Sequence, residues 1–147
     1  MQILSLSEIK GFIDVPELIA DLEEGYALYS EDKVEVPPVG FLHFQDPGGD
    51  VHIKYGYIRG DSVYVIKIAS GFEVPGLGGM ASDGLLLIFD QKTGQLESVL
   101  LDECYLTDIR TAVGGAVAAK HLAPQTVTGI GIVGTGVQAR MQLKMLA

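Results

Sequence analysis

Between Val36 and Val99 the sequence is a succession of apolar or β-branched runs with turn signals between them. The runs are "VGFLHF", "DVHIKYGYIRG", "SVYVIKIASGF", "GLLLIFDQKTG" and "QLESVLLD"; the turns are "DPGGD", "RGDS" and "KTGQ". Runs this short satisfy their backbone N–H and C=O groups by pairing with one another. With tight turns between them, they predict a largely antiparallel, hairpin-linked sheet. One stretch, "GFEVPGLGGMASDG", reads instead as a long glycine-rich loop, a type that is uncommon inside compact domains and often functional.

Helical patterns flank this region. Ser7 is a candidate N-cap near the start, and Asp14 is a second one before "VPELIADLEEGYALY". Pro16 suits a first helical turn, where its missing N–H costs little. A helix is predicted at about Pro16–Tyr29, with "VPPVG" ending regular structure after it. Further on, Thr107 can cap a helix through "DIRTAVGGAVAAKHLA", which Pro124 terminates. Ala112, Ala116, Ala119 and Ala123 give that helix a small-residue face that permits close packing.

Composition excludes several functions. The net charge of −9 opposes binding to nucleic acid phosphates. No apolar run has the length of a membrane span, and "MQILSLSEIKGFID" lacks the layout of a signal peptide. A single cysteine, Cys104, forms no intrachain disulfide framework and reads as a buried thiol; a cytoplasmic location fits. His43, His52 and His121 have no metal-ligand spacing, so no metal is expected.

After Pro124 the pattern changes. "TVTGIGIV" is an almost wholly apolar run, as expected of a parallel strand buried on both faces, at about Val127–Val133. "GTGVQA" follows, from Gly134 to Ala139. In a G-x-G-x-x-A turn the first glycine permits the tight bend and the second lets the backbone approach a pyrophosphate. The alanine lets the next helix pack on the strand, and that helix's N-terminus points free N–H groups at the phosphates. The expected division is therefore 1–125 as one domain and 126–147 as the start of a dinucleotide-binding domain. The acidic ribose-binding residue of such a fold falls about 20 residues further on, beyond residue 147.

With these residues in view, the chain resembles the ornithine cyclodeaminase/mu-crystallin family. The matching segments are "VYVIKIASGF", "GLLLIFDQKTGQLESVLLDECYLTDIRTAVGGAVAAKHLAP" and "IGIVGTGVQARMQL", in the family's order. The pairing of "LTDIRTA" with "GTGVQAR" is its specific mark. The resemblance implies an α/β subunit. An α+β N-terminal domain with a mixed, largely antiparallel sheet binds substrate and forms a homodimer; a Rossmann domain, here cut within its first β-turn-α, binds NAD or NADP. It also implies hydride transfer at an amino-acid α-carbon, as cyclodeaminase, dehydrogenase or imine reductase, with a small amino, imino or keto acid as the partner.

Carried over by position, the resemblance makes Lys67 a catalytic and substrate-binding lysine and Arg110 the clamp on the substrate carboxylate. It places Ser82 near the cofactor and Gly134, Thr135, Gly136, Val137 and Gln138 in the phosphate turn. The residues support part of this alone. Lys67 lies in an otherwise apolar strand, where a lysine is costly to bury without a partner or a cavity; the alternative is an open sheet face. Arg110, read as first-turn, opposes the helix dipole and needs another reason to be there; the alternative is a surface pair with Asp108 or Asp102. The chain also departs from the family. Val39 follows the "PP" where many members carry arginine, and Lys54 stands where many have a neutral residue. Lys54 is accordingly a candidate substrate contact, with a solvent-facing strand lysine as the alternative. The catalytic aspartate of the family lies past residue 147, so the chain by itself is expected to be inactive. A non-catalytic dimerisation or small-acid binding module of mu-crystallin type is the other reading.

Overall fold

A computed structural model describes residues 1–76 and 79–146. Two compact units emerge: Met1–Phe12 with Leu28–Cys104, and Ile13–Ala27 with Tyr105–Ala147.

The first unit is built on one sheet. Its strands are β1 (Gln2–Leu4), β2 (Val34–Glu35), β3 (Gly40–Phe44), β4 (Gly49–Ile58), β5 (Val63–Glu73), β6 (Met80–Asp90) and β7 (Leu96–Leu100). They run in the order β1-β7-β6-β5-β4-β2, with β3 also paired to β4. β1 is parallel to β7, and all other described pairs are antiparallel. The expected hairpin-linked sheet is thus present. The expected long loop is not. Gly71, Phe72 and Glu73 pair with Ser82, Ala81 and Met80, so the strands continue through most of "GFEVPGLGGMASDG". Backbone groups drive that ladder, and the glycine-rich composition of the stretch concealed it. Leu77 and Gly78, also assigned to the loop, lie outside the described residues.

Alternation divides the side chains of the central strands between two faces. One face carries Val51, Ile53 and Tyr55 of β4, Ile66 and Ile68 of β5, and Leu85 and Leu87 of β6. The other carries Asp50, His52 and Lys54, then Lys67, Ala69 and Gly71, then Ser82, Gly84 and Leu86.

A short helix, α1 (Leu6–Gly11), follows β1. Its N-cap is Ser5, not Ser7. Ser5 and Glu8 form a reciprocal capping box, with the Ser5 N–H donating to Glu8 at 2.8 Å. Ser5 holds Glu8 below its ordinary pKa through those hydrogen bonds.

The second unit is helical. α2 (Val15–Ser30) begins there, and α3 (Tyr105–Leu122) and α4 (Val137–Leu146) belong to it. Asp14 caps α2, accepting from the Glu17 N–H at 2.9 Å, as anticipated. α3 starts at Tyr105, so Thr107 lies inside the helix rather than at its cap. The core is the i, i+4 row Ile109, Val113 and Val117, against which Leu18, Ile19, Leu22 and Met145 pack. Ala112 and Ala116 are buried beside that row, as their small-residue pattern suggested, whereas Ala123 is exposed. The strand expected at Val127–Val133 is absent: the described residues between α3 and α4 form no ladder, and Val127, Ile130, Ile132 and Val133 are exposed. A strand draws its hydrogen bonds from a neighbour, and no described strand flanks this segment. Among the described residues no helix is long and apolar enough to cross a membrane.

Candidate functional site

In the first unit the sheet gathers Lys54, Lys67 and Ser82 on one face. Lys54 of β4 stands directly opposite Lys67 of β5, and Gly71 of β5 stands opposite Ser82 of β6. Lys67 is half-buried, and Lys54 and Ser82 are exposed. Small residues, Ala69, Gly71 and Gly84, occupy the middle of the face. Gly84 is there of necessity: a Cβ on it would lie 2.8 Å from the Ile68 carbonyl oxygen and 3.0 Å from Cys104 Sγ. Cys104 is buried, as predicted, and its thiol donates to the Asp83 carbonyl at 3.0 Å. It sits in an unusual turn between β7 and α3, where Glu103 and Cys104 take φ values of 49° and 64°. Left-handed φ at two consecutive non-glycine residues costs backbone energy and tends to occur where a position must be fixed.

His52 shares the face. It approaches Asp50 at 3.5 Å and the Phe41 ring at 5.0 Å. Among the described residues no group of histidine, cysteine, aspartate and glutamate could hold a metal ion.

In the second unit Arg110 is exposed and makes no ion pair among the described residues. Because α3 begins at Tyr105, Arg110 is in the second turn rather than the first, and the dipole opposes it less than expected. Its neighbour Asp108 has another partner. Gln138 Nε2 donates to Asp108 Oδ1 at 3.0 Å and to the Asp108 carbonyl at 3.2 Å, tying the first turn of α4 to α3. The other amide atom, Gln138 Oε1, is buried with no protein partner. Sequence reasoning assigned Gln138 to the turn and offered Asp108 only as a partner of Arg110; it missed their contact, since hydrogen bonding across 30 residues leaves no local pattern.

Gly134 has φ of 102°, the left-handed geometry for which the first glycine of the motif was read. Nothing lies within 4 Å of a Cβ built on Gly134 or Gly136, so the turn presents bare backbone. Val137 opens α4, and Arg140 Nε donates back to the Thr135 carbonyl at 3.0 Å. A hollow of about 320 Å³ beside the turn is lined by Ile132, Gly134, Thr135, Ala139, Arg140 and Leu143. Open glycine backbone ahead of a helix N-terminus fits a dinucleotide pyrophosphate.

A cluster that the sequence did not signal joins α2 to α3. Lys120 Nζ donates to Glu23 at 2.5 Å, and His121 Nε2 meets the other Glu23 oxygen. Hydrogen bonds from Lys120, and then from His121, hold Glu23 below its ordinary pKa.

The model of the ornithine cyclodeaminase/mu-crystallin family matches residues 1–147. The chain belongs to that family. Among its relatives, a putative dehydrogenase of Rhizobium meliloti is 36% identical over all of this chain and 45% of its own length. An uncharacterized cyclodeaminase of Sinorhizobium fredii is 38% identical over 99% of this chain and 45% of its own. Of solved structures, the Thermococcus litoralis Δ1-pyrroline-2-carboxylate reductase in complex with NADH and L-proline superposes with a TM-score of 0.87 at 28% identity, covering 99% of this chain and 45% of that one. An archaeal alanine dehydrogenase dimer with bound NAD gives 0.86 at 28%, covering 98% and 44%. The chain thus spans under half the length of these family members.

Proposed function

We propose that these residues are the amino-acid side and the beginning of the cofactor side of an NAD(P)-dependent enzyme. It acts by hydride transfer at the α-carbon of a small amino or imino acid, the imino acid being the form a keto acid takes once ammonia or an amine has condensed with it and water has left. The observation that carries this reading is the common face of Lys54, Lys67 and Ser82 in a chain of this family. Lys67 acts at the reacting centre, holding the substrate carboxylate and a proton there. Arg110 offers a planar two-point fork to that carboxylate, which orients it better than an ammonium would. Ser82 lies toward the cofactor. Gly134, Thr135, Gly136, Val137 and Gln138 hold its pyrophosphate, the backbone N–H groups making the contact. The nicotinamide supplies or accepts the hydride.

Two further features belong to this reading. The apolar sheet face of Ile53, Ile66, Ile68, Leu85 and Leu87 is only half-buried, which supports a homodimer that covers it; the archaeal relative was solved as a dimer. The division into a domain at 1–125 and a cofactor domain from 126 fits the glycine turn, and the single buried thiol fits the cytoplasm.

The test follows NADH or NADPH oxidation with a panel of cyclic and acyclic imino acids, using the natural gene product that carries these residues. Turnover is expected. Lys67→Met should remove it, and Arg110→Lys should raise KM for the acid more than it lowers kcat. Full turnover by the Lys67→Met protein would overturn the assignment.

A further inference from the structure

The contact between Asp108 and Gln138 lies wholly within the helical unit, and the proposed chemistry gives Asp108 no task. Asp108 is in the first turn of α3 and Gln138 in the first turn of α4, so these two helices start side by side. Their contacts then advance along both. A Cβ on Gly115 would lie 3.0 Å from Gln142 Oε1, and Met145 packs against the row of Ile109, Val113 and Val117. α4 is therefore seated on α3 along its length.

An acid in a first helical turn is ordinary, since it meets the positive end of the dipole. That explains the charge of Asp108 and not its partner. The Gln138 amide donates to the Asp108 carboxylate at 3.0 Å and to the Asp108 carbonyl at 3.2 Å, so two acceptors on one residue fix which way the amide faces. The orientation has a cost. Gln138 Oε1 is left buried with no partner among the described residues, and an unsatisfied buried acceptor destabilises a fold. A link that served stability alone would not leave it so.

What the link provides is placement. Nothing lies within 4 Å of a Cβ built on Gly134 or Gly136, so the turn has little packing of its own. Arg140 bonds back to Thr135, inside the turn. Of the described residues 134–138, Gln138 is the one hydrogen-bonded to another element.

We infer that Asp108 is a positioning residue for the dinucleotide: through Gln138 it fixes the phosphate turn against α3, so the backbone N–H groups are aimed before the pyrophosphate arrives. The inference rests on the dinucleotide reading of the turn. Preorganisation of this kind acts on cofactor affinity, because the ordering is complete before binding. It leaves the chemical step unchanged.

The natural gene product that carries these residues is titrated with NADH and with NADPH by fluorescence, and its steady-state kinetics are measured. Asp108→Ala keeps α3 helical. It is expected to weaken the preferred cofactor about tenfold, the scale of one hydrogen bond to a charged group, and to raise that cofactor's KM alike while kcat holds. Asp108→Asn keeps an acceptor for Gln138 and should recover most of the loss. Gln138→Met removes the bonds from the other side, and adding Asp108→Ala to it should cost nothing further. An acid that serves only the helix dipole acts by charge, so equal losses in Asp108→Ala and Asp108→Asn would overturn the inference. So would unaltered cofactor affinity in Asp108→Ala, or a full additional loss in the double variant. If the wild-type protein binds neither dinucleotide, the cofactor reading fails and the inference falls with it.

Discussion

The sheet of the first unit and the segment leading into α4 are both apolar sequence, yet only one became strand. β5 and β6 carry "VYVIKIAS" and "GLLLIFD", and each lies between two hydrogen-bonded neighbours. "TVTGIGIV" is as apolar as either and lies in no ladder. α4, only a few residues further on, is fully helical. The difference lies in where the hydrogen bonds come from. A helix closes its own, so its local sequence suffices once one face can pack. A strand borrows its hydrogen bonds, so its sequence expresses a preference that neighbours must complete.

Hydrogen exchange on the 147-residue chain probes that contrast at its widest. Amides of Val65–Ala69 should exchange at least about a thousandfold more slowly than those of Val127–Val133. Comparable protection of the two segments would show that the second has found a strand partner, for example in another copy of the chain.

The two cores can be compared by truncation. Ile109 is buried in the helical unit, and Ile109→Ala should cost about 2–5 kcal/mol in denaturant unfolding. Ile66, half-buried on the sheet, should cost less. If the two cost the same at high protein concentration and differ on dilution, the sheet face is covered by association, which would sharpen the dimer proposal.

The smallest effect concerns Glu23. Its folded pKa lies below the ordinary 4.5 because Lys120 and His121 donate to it. Its contribution is therefore complete above the unfolded value and is lost as pH falls through the folded one. Being exposed, the cluster contributes modestly. Glu23→Gln should flatten the acid limb of the stability profile of α2 and α3 and leave the sheet signals unmoved; an unchanged acid limb would remove Glu23 from the account.

What could be read from the sequence follows the same division. The β4–β5 and β6–β7 hairpins were legible because period-two patterning and turn residues are local. So was α2, with Asp14 and Pro16 at its start. The capping box was legible too, since Ser5 and Glu8 have the spacing of one, although Ser7 drew the assignment. The β5–β6 hairpin escaped because Ser82 and Asp83 interrupt its apolar pattern. β1 escaped because three residues carry no period, and its partner is remote in sequence. At the candidate site, Lys67 was conspicuous as a charge inside an apolar run. That Lys54 faces it is a matter of register, and the contact of Gln138 with Asp108 is a matter of tertiary packing. Neither is written in any short window.

The pairing of β1 with β7 joins Gln2–Leu4 to Ser98–Leu100. During synthesis the first strand to be made is thus among the last to be placed. Residues 2–4 must wait until the chain has grown to residue 100 before their only described strand partner exists. The order of translation and the order of assembly run opposite to each other at this edge, and closing so long a loop delays completion of the sheet.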